Sequence, residues 1–177
     1  MKKSIAYWQT AGFIFTAVTG TLLHFLYDWT GGKIAAALFS AVNESIWEHL
    51  KLLFYPMVIF TIIEYFFWGK EVSNFWCVKV AGSLLGLALI PVLYYTYTGA
   101  LGVEADWFNI TIFFLVAGAV FWMETKLFQK KFCRGGIWWP VLALLAVAFI
   151  VLTFVPPRIP LFRDPVSGTY GVLIEEK

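Results

Sequence analysis

The stretch CVKVAGSLLGLALIPVLYYTYT, residues 77–98, is an almost uninterrupted apolar run in which Lys79 is the one charged residue. A helix of about 20 apolar residues is long enough to cross the roughly 30 Å hydrocarbon core of a bilayer. Similar runs recur along the chain, so that the predicted spans cover about residues 5–27, 50–68, 77–98, 107–128 and 137–155. The sequence therefore predicts an all-α integral membrane bundle of five transmembrane helices.

The composition of the chain supports the same class. Of its 177 residues, 60% are hydrophobic, 20% are aromatic and 14% are charged, whereas about 25% of the residues of a soluble domain are charged. The net charge of +2 is too small to indicate nucleic acid as a partner. The lipid bilayer is the expected partner, and the cell membrane is the expected location.

The positions of the lysines and arginines predict the orientation, because these residues are retained on the cytoplasmic side of a membrane. A cytoplasmic N-terminus puts more of them inside than outside, and the connection ETKLFQKKFCRGG after the fourth span is the richest. Five spans then place the C-terminus outside. The inner set is Lys2, Lys3, Lys70, Lys79, Lys126, Lys130, Lys131 and Arg134, and the outer set is Lys33, Lys51, Arg158, Arg163 and Lys177.

Two segments of the outer side are not spans. After a Gly-Gly turn, the sequence predicts a re-entrant or interfacial helix over about residues 33–49, which runs into the second span. Residues 156–177 follow the bundle of residues 1–155 as a proline-rich tail, which we expect to be extended and to pack over the outer mouth of the bundle. The prolines of this tail are Pro156, Pro157, Pro160 and Pro165.

Residues 40–56, SAVNESIWEHLKLLFYP, concentrate polar side chains directly before an apolar run. If this stretch is one helix, Glu48 and Lys51 lie within about 40° of Glu44 around its axis. His49 points to another side, from which it reaches a neighbouring element. The pattern predicts a polar stripe at the start of the second span.

The candidate site combines this stripe with polar residues expected at the same level. Carboxylate oxygens and imidazole nitrogens are common ligands of divalent metal ions, so a divalent metal ion is one candidate cofactor, beside a site for a proton or a small polar substrate, and the sequence leaves the cofactor open. The alternative is an ordinary interfacial helix with an ion pair between Glu48 and Lys51. The candidate binding residues are His24, Asn43, Glu44, Glu48, His49, Lys51 and Asp164, and the candidate metal ligands are Glu44, Glu48, His24 and His49.

Other polar residues are assigned structural places. Glu64 and Glu124 are expected to reach the inner interface beside Lys70 and Lys126, as long charged side chains do at span ends. Cys77 and Cys133 lie far apart and lack metal-type spacing, so we expect them to be free thiols.

The strings VNESIWEHLKLLFYP, LLHFLYDWTG and PLFRDPVSGTYG resemble the signature of a family of small bacterial multi-pass membrane proteins of unknown function. The resemblance covers nearly the whole chain, and its specific part is N-E-S-x-W-E-H-x-K. It implies a bacterial inner-membrane location and places the three segments in one site. It implies no activity.

The sequence leaves open whether the protein is an enzyme. We expect it to bind or transport a small polar solute, a proton or an ion, because no nucleophile motif or metalloprotease motif occurs in it. The alternative is an intramembrane enzyme, with or without a metal ion, that acts on a lipid-like substrate. A third hypothesis makes the stripe a docking face for another membrane subunit.

Overall fold

A computed structural model describes residues 2–130, 133 and 138–172, without the side chains of Lys2 and Lys3. The expectations for Lys131, Arg134, Ile137 and residues 173–177 lie outside the described residues. In the described part the fold is all-α and has no strand. Its helices are α1 (Lys2–Trp29), α2 (Ile34–Ala37), α3 (Ile46–Phe67), α4 (Phe75–Leu101), α5 (Asp106–Phe128) and α6 (Trp139–Phe154), with 3-10 turns at Gly69–Glu71 and Pro160–Phe162.

In the described part of the chain, four helices are long and apolar enough to cross a membrane, namely Ser4–Trp29, Ile46–Phe67, Phe75–Leu101 and Asp106–Phe128. The described part of the fifth predicted span is α6, which has 16 residues and a length of about 24 Å at 1.5 Å per residue. A membrane bundle is therefore supported.

The long helices pack side by side. Helix α1 lies against α3 and α5, α4 lies against α5 and α3, and α6 lies against α3 and α4. Buried apolar side chains such as Leu53, Val116 and Val120 fill the centre, while Ile14 and Leu144 are exposed on the outside. Apolar side chains on the outside of a helix bundle are what a lipid environment accommodates.

The bundle has two ends that differ in chemistry. We call the "site end" the one at which α1 and α4 end and α3 and α5 begin. The opposite end carries a disulfide between Cys77 and Cys133, whose Cα atoms are 6.3 Å apart, and we call it the "disulfide end". The expectation of free thiols was wrong, because α4 and α5 are neighbours and the start of α4 therefore meets the chain that follows α5.

The helix predicted over about residues 33–49 is interrupted. Helix α2 has one turn, and α3 begins only after Ser45, whose backbone is extended and whose hydroxyl accepts a hydrogen bond from the Glu48 N–H at 3.4 Å. The Ser45 N–H in turn donates to the Asn43 Oδ1 at 2.9 Å. Such local bonds of Asn and Ser compete with the helix. Ser40 and Glu44 consequently do not lie on the helix that carries Glu48.

The described tail, residues 156–172, folds back over the site end. The Phe162 ring lies 4.6 Å from the Trp47 ring, measured between centroids, and is buried. Arg163 and Tyr170 form an isolated antiparallel bridge, and the Val172 N–H donates to the Thr153 carbonyl at 3.3 Å. The tail is thereby attached to both α3 and α6.

Candidate functional site

The interruption between α2 and α3 brings three candidate ligands together. His24 comes from the last turns of α1, Glu44 from the loop, and His49 from the first turn of α3. One ligand atom from each side chain lies within 4.8 Å of the other two. We call these three residues the His-Glu-His cluster.

The ring of His49 is oriented by the backbone. Its Nδ1 lies 3.0 Å from the Ser45 carbonyl oxygen, and because a carbonyl oxygen only accepts, Nδ1 carries the hydrogen. The other nitrogen, Nε2, lies 3.4 Å from the Glu44 Oε2. In a neutral imidazole that Nε2 is an acceptor facing a carboxylate, so this pair requires a cation: a proton on Nε2 or a metal ion between the two atoms.

The electrostatics of Glu44 agree with that requirement. The hydrogen bond from His49 lowers the pKa of Glu44, and partial burial acts in the opposite direction. The side chain of Glu44 is 51% exposed and that of His49 is 31% exposed. The carboxylate is therefore ionised at neutral pH and can be reached from solvent.

A cavity of about 270 Å³ adjoins the cluster. His24 and Glu44 line it, together with Asp28 and Asn43. Pockets for drug-sized ligands usually measure about 300–1,000 Å³, and one water occupies about 30 Å³ of liquid. The cavity therefore suits a hydrated ion or a small polar group.

Two other predicted site residues lie in a separate, closed network. Lys51 and Glu48 form a buried ion pair at 2.5 Å. The Lys51 ammonium also donates to the Ala37 carbonyl at 2.9 Å and to the Thr153 hydroxyl at 3.0 Å. An ammonium group has three donors, so none is left for a ligand. We call this arrangement the Lys51 network.

Glu48 is equally occupied in the Lys51 network. Besides the ammonium of Lys51, it accepts hydrogen bonds from the Val42 N–H at 3.2 Å and the Thr153 hydroxyl at 2.8 Å. Glu44 and Glu48 thus have different partners, and their oxygens do not form one pair of ligands. The predicted ion pair between Glu48 and Lys51 is present, but it is buried in the protein.

Asn43 and Asp164 hold the tail. The Asn43 amide donates to the Gly171 carbonyl at 3.0 Å and also lines the cavity. Asp164 is buried and accepts from the Val166 N–H at 2.9 Å and the Ser167 hydroxyl at 2.5 Å, closing a turn. Of the seven predicted binding residues, the structure thus brings His24, Glu44 and His49 together, with Asn43 at the edge.

A buried charged cluster occupies the disulfide end. Lys79 forms ion pairs with both Glu64 and Glu124, and Gln9 donates to Glu64 at 2.8 Å. All four side chains are at most 2% exposed. The expectation that Glu64 and Glu124 reach the interface beside Lys70 and Lys126 was therefore wrong, and Gln9 and Lys79 were missed as their partners.

The sequence model of a family of unknown function, DUF6512, matches residues 1–172 of the chain. No curated protein and no solved structure matches the chain. A transport or catalytic role therefore has to be argued from the geometry of the chain itself.

Proposed function

Because the chain belongs to this family of unknown function, we propose its function from the site: it is a membrane protein that binds a divalent transition-metal ion through His24, Glu44 and His49. The observation that carries the proposal is the ring of His49. Its Nδ1–H is held by the Ser45 carbonyl while Nε2 faces the Glu44 carboxylate. Metal-binding histidines are commonly oriented in this way by a hydrogen bond from the other ring nitrogen.

The ligand set supports a borderline metal ion. Two imidazoles and one carboxylate bind Zn²⁺ in many catalytic sites and leave further coordination positions open. Mg²⁺ and Ca²⁺ prefer oxygen ligands, so a site with two nitrogens favours the later transition metals. The adjoining cavity of about 270 Å³ has room for water or a small solute on the open positions.

Zinc titration of purified protein tests the proposal. After chelator treatment in detergent, we expect one equivalent of Zn²⁺ to bind, and Co²⁺ to give an absorption spectrum of a nitrogen- and oxygen-ligated ion. His24→Gln, Glu44→Gln and His49→Gln should each weaken binding by more than the roughly 10–100-fold cost of losing an outer-shell partner.

The matched control is Glu104→Gln, which removes an exposed carboxylate between α4 and α5 at the same end. It should bind zinc like the unsubstituted protein. Absence of stoichiometric binding, or equal binding by all four variants, would refute the metal site and leave a His49–Glu44 ion pair as the account of the cluster.

The alternative function is metal-dependent hydrolysis of a lipid-like substrate. It is favoured by the open coordination positions and by Asp28, a carboxylate that lines the same cavity and is available as a general base. A zinc ion would supply an activated water there. The enzyme would be favoured if the protein hydrolyses lipid esters in vesicles and if Asp28→Asn abolishes this hydrolysis but not zinc binding. Transport would be favoured if the protein carries zinc into vesicles without hydrolysing lipid.

We further propose that α6 is the fifth crossing. Its one polar side chain is Thr153, which is fully buried toward the bundle. At about 24 Å it is shorter than the roughly 30 Å hydrocarbon core, a mismatch that local thinning of the bilayer accommodates at modest cost. The Lys and Arg distribution supports a cytoplasmic N-terminus and hence an external site end.

A further inference from the structure

Among the described residues, the cluster at the disulfide end is short of one positive charge. It places the carboxylates of Glu64 and Glu124 around the single ammonium of Lys79. Gln9, which faces them from α1, is uncharged. With both carboxylates ionised, the group would carry one net negative charge with no solvent around it, since none of these side chains is more than 2% exposed.

A buried net charge is costly, and proteins relieve it by binding a compensating ion or by changing protonation. Within the membrane such ionisable groups commonly mark proton or ion pathways. A metal cation is disfavoured here because the ammonium already lies between the two carboxylates. A proton is the compensating ion that fits.

The hydrogen bonds indicate which carboxylate takes the proton. On Glu64, Oε1 accepts a hydrogen bond from Gln9, and Oε2 has no hydrogen-bond partner among the described residues but lies in an ion pair with the Lys79 ammonium. Glu124 receives Lys79 on Oε2 at 2.6 Å, but its buried Oε1 has no hydrogen-bond partner among the described residues. The buried Oε1 of Gln9 likewise has none in the described part of the chain.

Gly82 keeps Glu124 in this position. The carboxylate packs directly against its Cα, so that a Cβ at residue 82 would collide with the Oε1 and the Cδ of Glu124. The third side of the Lys79 ammonium faces aromatic rings, 5.4 Å from the Phe121 centroid and 5.6 Å from the Phe128 centroid. The cluster is therefore enclosed by protein on the sides that these contacts describe.

We propose that Gln9, Glu64, Lys79 and Glu124 form a second binding site, distinct from the His-Glu-His cluster, that holds one exchangeable proton on the Oε1 of Glu124. Uptake of this proton makes the cluster neutral, and its release leaves one negative charge beneath the disulfide end. The titration belongs to the two carboxylates as a coupled pair.

Infrared spectroscopy of the full chain in an ester-free detergent tests the proposal, because only a protonated carboxyl group gives the carboxylic-acid C=O stretch. At neutral pH we expect a band equivalent to one carboxyl per protein that disappears as the pH is raised. Glutamate labelled with ¹³C should shift it. A protein without such a band holds no proton on a carboxyl group, and the proposal would be wrong.

Variants locate the proton. Glu124→Gln should lose the band, and Glu64→Gln should lose it or move it to lower pH, because either change leaves one carboxylate against one ammonium. Glu71→Gln, at an exposed glutamate of the same end, should retain it. A band that survives Glu124→Gln would refute the assignment. Zinc binding should be unchanged in Glu124→Gln, which separates the two sites.

Discussion

Replacing Lys51 by methionine tests the distinction between a closed structural network and a binding site. The substitution keeps the length of the side chain but removes the ammonium that pairs with Glu48 and donates to Ala37 and Thr153. Lys51 is 0% exposed and Glu48 is 1% exposed, so water cannot replace the lost partner. We expect a large loss of stability and little loss of zinc affinity.

The magnitude follows from what remains buried. Breaking a buried ion pair by removing one partner costs about 3–5 kcal/mol, because the other charge stays uncompensated. Glu48→Gln should cost a similar amount by leaving Lys51 alone. The double variant has no unpaired charge. The Ala37 carbonyl and the Thr153 hydroxyl lose a donor, and the amide at position 48 has one acceptor oxygen for the two hydrogen bonds from Val42 and Thr153. Each buried group left unsatisfied costs about 1–3 kcal/mol, so the loss should stay below the sum of the two single losses.

The free energies of unfolding of the two single variants and the double variant in detergent complete a double-mutant cycle. Lys33→Met, at an exposed lysine of the same end, is the control and should be near neutral. The reasoning would be refuted by a double variant whose loss equals the sum of the single losses, or by Lys51→Met behaving like Lys33→Met.

Three further predictions concern pH, packing and orientation. The pKa of Glu44 is lowered, chiefly by His49, so its stabilising contribution is present above the ordinary pKa of glutamate and is lost as the pH falls through the lowered value. Because Glu44 is half exposed, the stability difference between the protein and Glu44→Gln should stay within about 1 kcal/mol at neutral pH and vanish in acid. Gly82→Ala should cost about 1–3 kcal/mol of stability, because the added Cβ collides with Glu124. At Gly99 a Cβ meets nothing within 4 Å, so Gly99→Ala should stabilise α4 by about 0.4–1 kcal/mol. Thermal unfolding of the two variants measures both effects. Reporter fusions should place the N-terminus in the cytoplasm; a translocated N-terminus would contradict the Lys and Arg argument and put the disulfide on the oxidising side, where such bonds usually persist.

The membrane class and most helix positions could be predicted because they depend on long apolar runs. Residues 107–128 were predicted as a span, and the helix is Asp106–Phe128. Apolar length is a property of the local sequence, so no knowledge of neighbours is needed. The same holds for the candidate ligands, since His24, Glu44 and His49 stand out in a chain with few ionisable residues.

The grouping of the polar residues could not be predicted, because it depends on where the helix starts. A continuous helix would place Glu44 beside Glu48. Because Ser45 caps the start of α3, Glu44 instead lies in the loop before the helix, where its carboxylate faces His49. The string N-E-S contained the signal, as Asn and Ser both favour positions before a helix. The apolar and alanine-rich residues on either side outweighed it.

The partners of Lys79 were missed for a different reason. The orientation argument treated Lys79 as a cytoplasmic charge and used only the sign of that charge. Lys79 lies within an apolar run of α4, and Glu64 and Glu124 lie within apolar runs of α3 and α5. Charged residues inside spans pair with one another far more often than they face lipid. Pairing across helices, however, requires knowledge of which helices are neighbours.

The two buried charge networks differ in balance, and that difference separates structure from function. In the Lys51 network one ammonium meets one carboxylate, and every donor of the ammonium has an acceptor. Within the described residues, the network at Lys79 has two carboxylates for one ammonium and offers no donor to the Oε1 of Glu124. A neutral and saturated network has nothing to gain from another ion, so it holds helices together and does little else. An unbalanced network gains stability from the one proton that restores neutrality, which is the proton that we propose on the Oε1 of Glu124.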